Sequence, residues 1–382
     1  MGYFTAPRIA FGPSAIEQLG NLGARRALVL VDPAIARATR TLRATEELAK
    51  VGTAVETVAT GTSDATVASI EPLLARATAF GPDWIVAIGG GRTIDSAKGL
   101  WARYGHPDVP LSSVSPLAEL DLRARARFAA LPTTCGSGSE STWVAYLKGE
   151  GGTIVEIASR ELAPDWAIVD PTFLETLPTP EAAATAAGAV AHAFEAFVSA
   201  WSNPFSDALA LQAMTTAVPA IAKLAKHRDA EVEAALHLAA TQAGLAAANA
   251  QVGLTHALAT SLSVEFDVPH ARLVAALLPF VAEFHYPSAR DRYAPLAAVF
   301  GGSAASSRSA IPERLRAVWD AAGLPRTLAD AGVAAEALEP AIERVARRTL
   351  ASPGAMSSPR IPSDPELAEL LRAALRGTPV GF

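Results

Sequence analysis

The sequence predicts an α/β domain followed by an all-helical domain. In the first half of the chain, short apolar runs alternate with helical patterns, which indicates a doubly wound parallel sheet. From about residue 176 onward, helix-period stretches dominate, and no run after Asp170 is typical of a strand. We therefore expect an α/β domain over residues 1–177 and a helical domain over 178–382, with the boundary near Leu177-Pro178.

The predicted strands of the first domain are mostly continuous apolar runs, as expected for strands covered on both faces. They cover residues 24–32, 53–59, 82–88, 126–131 and 166–170. Amphipathic patterns between them predict helices over 34–51, 65–79 and 94–104.

The helical domain begins with a clear start signal. Thr179-Pro180 is typical of a helix N-terminus, and Ser202-Asn203-Pro204 ends the helix predicted over 180–201. Two segments rich in Gly, Ser and Pro, 301–310 and 352–364, are predicted to be flexible loops.

Composition excludes several classes of protein. The 382 residues are 50% hydrophobic and 18% charged, which indicates a folded globular chain. A net charge of −6 gives no basic surface for nucleic acid. The first residues lack the apolar core of a signal peptide, and no helical stretch is apolar enough to span a membrane. With a single cysteine, Cys135, the sequence predicts a cytoplasmic protein with no membrane or nucleic-acid partner.

Three consecutive glycines, Gly89, Gly90 and Gly91, follow an apolar strand and open a helix. Glycines let a phosphate approach the backbone, and a helix N-terminus offers free N–H groups and the positive end of its dipole. The pattern matches neither G-x-G-x-x-G nor the P-loop, and a tight turn without ligand is the alternative. Asp32 ends the first strand, where a carboxylate can accept bonds from a ribose diol or serve as an ordinary cap.

A second loop after a strand, residues 132–140, is rich in hydroxyls and glycines. This composition suits contacts to phosphate or to a nicotinamide, although a simple polar loop has the same composition. Cys135 lies in this loop with no histidine near it in sequence, so we interpret it as a small buried side chain rather than a nucleophile.

Three histidines, His192, His256 and His270, lie in the apolar, alanine-rich second half of a chain that has seven histidines. A single buried histidine is more often a hydrogen-bonded core residue than a ligand. Three in such surroundings favour a metal site, because each would otherwise need a buried polar partner. Three neutral imidazoles leave coordination positions open, as a catalytic metal requires.

Together these motifs resemble the iron-containing (group III) alcohol dehydrogenases, a family that includes maleylacetate reductases. The resemblance extends from Gly12 to about residue 290. It implies a dinucleotide-binding N-terminal domain and a helical metal- and substrate-binding domain, with the active site between them. It also implies hydride transfer between NAD(H) and a carbonyl or alcohol held on a divalent metal. The residues that carry it are Gly89 to Gly91 with Asp95 and Lys98, the 132–140 loop, Asp170-Pro171, Leu177-Pro178, the run 192–196, the pair His256 and His270, and Leu278-Pro279.

Position by position, Asp32 falls where family members that prefer NAD have an aspartate. The resemblance therefore implies NAD as the cofactor, with NADP as the alternative. Its cofactor-binding positions correspond to Gly90, Gly91, Asp95, Thr133, Thr134 and Ser139. Gly89 and Arg92, in the same strand–helix turn, are further cofactor-binding candidates. His192, His256 and His270 fall on three of the four positions that hold Fe²⁺ or Zn²⁺, and they are the catalytic candidates.

The sequence departs from the family pattern at four places. Gly188 replaces the aspartate expected four residues before His192, and Thr260 replaces a further histidine. Arg92 replaces a serine, and the lysine usual upstream of Asp170 is missing from 153–157.

Three functions are therefore open. The first is a metal-dependent NAD(H) alcohol dehydrogenase or carbonyl reductase acting on a small molecule. The second is a metal-free enzyme of the maleylacetate reductase type, with a histidine as general acid and Arg92 as an anion clamp. The third is a diverged, non-redox paralogue. A homodimer is the default assembly.

Overall fold

The computed structural model describes residues 3–61, 65–300 and 308–381. The chain divides into two compact units, Met1–Leu177 and Pro178–Phe382.

The first unit is built on a parallel sheet of six strands, in the spatial order β1-β8-β5-β4-β2-β3. A separate antiparallel hairpin contains β6 and β7. The strands are β1 (Arg8–Phe11), β2 (Arg26–Val31), β3 (Ala54–Ala59), β4 (Trp84–Gly89), β5 (Arg127–Pro132), β6 (Val144–Lys148), β7 (Ile154–Ala158) and β8 (Trp166–Val169).

Helices and loops cover both faces of this sheet, so its central strands are almost fully buried. One core lies on the face of Leu28, Ile85 and Phe128, and the other on the face of Val29, Val86 and Leu131. This explains why the strand sequences are continuously apolar. The helices of this unit are α1 (Thr39–Lys50), α2 (Ile70–Phe80) and α3 (Gly91–Gly105).

The second unit is helical throughout its described residues. Its helices α4, α5 and α6 pack on one another, and α4 also packs on α7 and α8. The helices are α4 (Thr179–Val198), α5 (Pro204–Leu224), α6 (Ala230–Ala250), α7 (Leu254–Phe266), α8 (His270–His285), α9 (Arg290–Val299), α10 (Ala310–Ala321), α11 (Leu328–Ala331), α12 (Ala335–Leu338), α13 (Ile342–Leu350), α14 (Pro353–Ser357) and α15 (Asp364–Arg376). No helix in the described part of the chain is long and apolar enough to cross a membrane.

The predicted fold class is confirmed, and several element boundaries are corrected. Three strands were not predicted: β1, a four-residue edge strand, and the hairpin strands β6 and β7. The first helix begins at Thr39 rather than at residue 34, because Asp32 caps a short 3-10 turn over Pro33–Ile35.

The second predicted helix begins at Ile70 rather than at residue 65. Thr66 and Ser69 exchange hydrogen bonds that form a turn, and Thr66 also pairs with Lys148. Such local side-chain bonds compete with helix formation. The segment 352–364 is not simply a loop, because Ser352 caps the short helix α14. Residues 301–307 of the other predicted loop lie outside the described residues.

Candidate active site

The carboxyl ends of three neighbouring strands bring the predicted cofactor residues together in the first unit. After β2 the chain forms β3 on one side of it and then crosses to form β4 on the other side, so the strand order reverses beside β2. Crevices at such reversal points are where doubly wound sheets bind nucleotides. Backbone hydrogen bonds continue the strand pairing just past the strand ends. The Asp32 N–H donates to the Ile88 carbonyl (3.0 Å), and the Thr133 N–H donates to the Gly89 carbonyl (3.1 Å).

The glycine triplet is required by close contacts to the second loop. A Cβ on Gly90 would lie 3.0 Å from Cγ2 of Thr134, and a Cβ on Gly91 would lie 2.8 Å from Cβ of Ser137. Gly90 is the N-cap of α3 and supplies no side-chain hydrogen bond to it. The N-cap residue therefore leaves room at the start of the helix, where backbone N–H groups suit a phosphate.

The second loop contributes side chains at the same place. Thr133 and Ser139 are buried, and the Ser139 N–H donates to Oγ of Ser137 (3.3 Å). Ser139 Oγ lies 3.4 Å from the position of a Cβ on Gly91, so this hydroxyl lies beside the start of α3. Cys135 is completely buried, in agreement with its interpretation as a small core side chain.

Asp32 follows β2 and is already partly used. Its Oδ1 accepts the Ala34 N–H at 2.9 Å and caps the 3-10 turn that follows. The cap and the ribose role are therefore not exclusive, because a carboxylate has a second oxygen that can accept. Arg92 is the second residue of α3 and is exposed.

Asp95 and Lys98 are buried together behind the glycine triplet. Desolvation raises the pKa of Asp95 to about 6, although the Lys98 charge and the Tyr146 N–H, 3.2 Å from Oδ2, act in the opposite direction. Desolvation likewise lowers the pKa of Lys98 to about 8 against the attraction of Asp95 and Glu140.

The two side chains have different polar surroundings. The Lys98 ammonium donates to the carbonyls of Thr142 (2.7 Å) and Val144 (3.0 Å), and so ties α3 to the start of β6. Oδ1 of Asp95 is buried and has no hydrogen-bond partner among the described residues.

The three histidines predicted as ligands are brought together in the second unit. His192 lies on α4, His256 in the first turn of α7 and His270 at the first position of α8. The rings of His192 and His256 stack with centroids 4.0 Å apart and planes 19° apart. The rings of His256 and His270 are 5.8 Å apart and tilted by 38°.

Glu195, one turn after His192, organises this cluster and is completely buried at its side chain. Its carboxylate lies 2.6 Å from Nδ1 of His256 and accepts the N–H groups of Gly253 (2.8 Å) and Thr255. Desolvation raises the pKa of Glu195, but the charge of His256 and these donors outweigh it and lower the pKa overall.

Glu195 was absent from the predicted site residues. The signal available in the sequence was its spacing of three from His192, and the partners that define its role lie 58 to 61 residues further on. Gly253 is part of the same arrangement, because a Cβ there would lie 2.9 Å from Cδ of Glu195.

The two other ring positions differ. Nε2 of His256 is buried and has no hydrogen-bond partner among the described residues. His270 is exposed to solvent and lies beside His256. Partial desolvation, helped by His256 and opposed by Glu195, lowers the pKa of His270.

The cluster does not fit a shared metal ion as it is folded. An imidazole binds a metal through a lone pair in the plane of its ring, about 2.0–2.1 Å from the ion. Because the His192 and His256 planes are nearly parallel, an ion in one plane lies well outside the other. Within the described residues, no three His, Cys, Asp or Glu side chains are grouped so that they could hold a metal. At Gly188, a Cβ would meet nothing within 4 Å, so the position of the missing aspartate is open space.

Fold and site residues thus define a two-unit protein, with glycine-rich loops at the strand ends of one unit and a histidine cluster beside a buried carboxylate in the other. Sequence comparison identifies the family. A model described as iron-containing alcohol dehydrogenase matches residues 6–171, and one for the C-terminal region of the same family matches residues 182–375. The chain belongs to the iron-containing alcohol dehydrogenase family.

Individual relatives match most of the chain. It is 29% identical over 386 residues to an NADPH-dependent butanol dehydrogenase of Clostridium saccharobutylicum, covering 99% of each chain. It is also 29% identical to the bifunctional aldehyde-alcohol dehydrogenase AdhE of Escherichia coli K12, but spans only 44% of that longer protein.

Solved structures show the same fold. The iron-containing alcohol dehydrogenase of Thermococcus thioreducens superposes with a TM-score of 0.90 at 30% identity, over 99% of this chain and 100% of that one. A 1,3-propanediol oxidoreductase gives a TM-score of 0.90 at 27% identity, over 98% and 100% of the two chains.

Proposed function

We propose that this protein transfers a hydride between NAD(H) and a small carbonyl or alcohol, and that His256 handles the accompanying proton without a resident metal. The observation that carries this proposal is the His256–Glu195 pair. Nδ1 of His256 is fixed on a buried carboxylate, and Nε2 is left as a buried ring nitrogen with no described partner. Family membership supports the oxidoreductase class.

The cofactor would be held at the strand ends of the first unit. The N-terminus of α3, with Gly89, Gly90 and Gly91, suits the pyrophosphate, and Arg92 adds a positive charge there. Asp32 would accept from the ribose diol, and Asp95 offers a buried acceptor to an amide. Contacts from the second loop would come from Thr133, Thr134 and Ser139. The nicotinamide, when bound, supplies or accepts the hydride.

Proton transfer would be the task of His256. The short distance from Nδ1 to Glu195 favours a proton on Nδ1 that points at the carboxylate. In alcohol oxidation the free Nε2 then accepts the substrate proton, and in carbonyl reduction a protonated Nε2 donates it. The buried charge of Glu195 stabilises the imidazolium form that both directions require. His192 and His270 flank this ring as further polar contacts for the substrate oxygen.

A metal-dependent enzyme is the second candidate, with Fe²⁺ or Zn²⁺ on His192, His256 and His270. One observation favours it, because metal-bound histidines usually present their second nitrogen to a carboxylate, as His256 does to Glu195. This candidate requires the His192 ring to rotate out of its stacked position.

The working assembly and compartment belong to the same proposal. We infer a homodimer in the cytoplasm, since closed two-fold dimers are the commonest assembly of such enzymes and the single cysteine suits a reducing compartment. The net charge of −6 argues against nucleic acid as a partner.

The test is NADH- and NADPH-dependent reduction of butanal by protein purified without chelators, with metal content measured on the same sample. We expect turnover without stoichiometric divalent metal and no loss in EDTA. His256→Ala should lower kcat by more than about a hundredfold, the usual size of a general acid–base contribution. His227→Ala is the matched control, because His227 is a surface histidine with a side chain 77% exposed.

Each other outcome selects an alternative. Stoichiometric metal whose removal abolishes turnover would establish the metal-dependent enzyme. A protein that binds neither NADH nor NADPH in a titration would be the diverged, non-redox paralogue, and the proposal would be wrong.

A further inference from the structure

Arginine and tryptophan side chains alternate at the amino ends of four neighbouring strands of the parallel sheet. Across β1, β8, β5 and β4 they are Arg8, Trp166, Arg127 and Trp84. Arg8 is in register with Trp166, Arg127 is in register with Trp84, and Trp166 is in register with Ala129, two residues after Arg127. Residues in register, or two apart on a strand, share one face of a sheet. The four side chains therefore form a row on one face.

This row lines a cavity of about 160 Å³, together with Asp165. The cavity is larger than a single water needs and smaller than the roughly 300–1,000 Å³ of sites for drug-sized ligands. The cavity lies at the amino ends of the strands and the glycine triplet at their carboxyl ends, because β4 begins at Trp84 and ends at Gly89. A ligand here would be small and separate from the proposed cofactor.

The two arginines of the cavity have no acidic partner among the described residues. The Arg8 guanidinium lies 5.8 Å from the ring centroid of Trp166, and its backbone N–H, not its side chain, bonds to residue 165. Both arginines are exposed at the rim, whereas Trp84 is only 4% exposed.

The nearby carboxylates are engaged elsewhere. Asp165 accepts the Phe128 N–H and the Arg123 guanidinium, both at 2.9 Å. Asp83, next to Trp84, accepts the backbone N–H groups of Arg25 and Arg26. The positive charges of Arg8 and Arg127 are therefore not neutralised by a carboxylate, and they lie beside the indole rings that line the cavity.

We propose that this cavity is a binding site for a small planar carboxylate, an aromatic acid of the size of benzoate. The planar fork of a guanidinium pairs with both oxygens of a carboxylate, and an ammonium does not reproduce this geometry. The indole rings of Trp84 and Trp166 offer an apolar surface on which a flat ring can pack. No step of the proposed redox reaction depends on this site.

The test is a titration of the full-length protein with benzoate, followed by calorimetry and by intrinsic tryptophan fluorescence. Saturable binding with a change in fluorescence is expected, because two of the six tryptophans line the cavity. Arg8→Ala and Arg127→Ala should each weaken binding by about tenfold or more, the effect of losing one charge-assisted pair. Arg8→Lys should weaken it as well, since it keeps the charge and removes the fork.

Two controls locate the site. Arg347→Ala removes an exposed arginine of the other unit and should leave binding unchanged. His256→Ala should also leave it unchanged, which separates this cavity from the histidine cluster. The proposal is overturned if benzoate does not bind saturably, if inorganic phosphate binds as tightly as benzoate, or if His256→Ala removes binding while Arg8→Ala does not.

Discussion

The imidazole rings of His192 and His256 are stacked, with centroids 4.0 Å apart and planes within 19° of parallel. Stacking brings two potential metal ligands together but directs their in-plane lone pairs along separate planes. Glu195 fixes one of the rings by accepting from its Nδ1. The cluster is therefore ordered for hydrogen bonding rather than for joint coordination.

Gly188→Asp is expected to convert this cluster into a metal site, with the His192 ring rotated out of its stacked position. Residue 188 lies one turn before His192 on α4, and residues four apart share a helix face. A Cβ there meets nothing within 4 Å, so the carboxylate has room and adds the anionic ligand that the cluster lacks. We expect Zn²⁺ to bind at least about tenfold more tightly than to the unchanged protein. Calorimetry and the metal content after dialysis measure this.

Gly188→Ala is the matched control. It should not bind metal, and it should stabilise α4 by about 0.5–1 kcal/mol, because glycine inside a helix costs that much relative to alanine. Zn²⁺ should raise the melting temperature of the aspartate variant alone, since the ion neutralises its buried charge. Equal Zn²⁺ affinity in all three proteins would contradict the interpretation that the cluster lacks an anionic ligand at residue 188.

Most of the fold could be predicted from the sequence, because a strand buried on both faces is a continuous apolar run. The central strands β2, β4 and β5 are apolar at almost every position, so periodicity alone was sufficient to find them. The edge strand β1 has only four residues and is partly exposed, so its sequence is not a recognisable apolar run. Strand β6 alternates buried and more exposed positions over only five residues, too few to distinguish it from a loop.

The candidate site also has a part that local sequence predicts and a part that depends on distant residues. The glycine triplet could be recognised because its function depends on local backbone, but its close contacts to Thr134 and Ser137 require a second loop more than forty residues away. The role of Glu195 depends on Gly253, Thr255 and His256, which reach it only through the packing of α4 against α7. Local patterns contain no information about such pairings.

Asp32→Asn is expected to shift coenzyme preference from NADH toward NADPH. Asparagine keeps the oxygen that caps the Ala34 N–H, so the turn after β2 should be preserved. It removes the negative charge that would repel a 2′-phosphate. The ratio of kcat/KM for NADPH to that for NADH should rise on the order of tenfold, as expected for one unfavourable charge contact.

Asp108→Asn controls for a general effect of charge, because Asp108 is an exposed aspartate in the same unit. Its coenzyme ratio should match that of the unchanged enzyme. An unchanged ratio in Asp32→Asn as well would show that Asp32 serves only as a cap.

Gly91→Ala is expected to weaken NADH binding by displacing the second loop. Its Cβ would lie 2.8 Å from Cβ of Ser137, closer than real Cβ atoms approach. The backbone of Gly91 is not in the left-handed region, so the effect arises from the contact and not from strain. The Kd for NADH should rise by about tenfold or more, since overpacking of this kind costs roughly 1–3 kcal/mol.

The double variant Gly91→Ala with Ser137→Gly tests that cause directly. Removing the Ser137 side chain removes the clash, so NADH affinity should recover toward that of Ser137→Gly alone. Additive losses in the double variant would show that the two residues do not act through this contact.

Asp95 is expected to make the stability of the protein fall as the pH rises from about 4 to 6. Desolvation raises the pKa of this buried carboxyl from its ordinary value of 3.8 to about 6. In this window the unfolded chain releases the Asp95 proton while the folded chain retains it, so raising the pH favours unfolding. Lys98, with its pKa lowered to about 8, stays charged throughout the window and does not contribute to the change.

Asp95→Asn isolates this contribution, because asparagine cannot ionise and can still accept the Tyr146 N–H. The free energy of unfolding, measured by denaturant titration at several pH values, should fall for the unchanged protein relative to this variant by roughly 2–3 kcal/mol between pH 4 and pH 6. Asp108→Asn, at an exposed site, should show no such pH-dependent difference. If the difference between the unchanged protein and Asp95→Asn is constant across the window, Asp95 ionises in the folded chain as it does in the unfolded one, and its buried environment does not hold the proton.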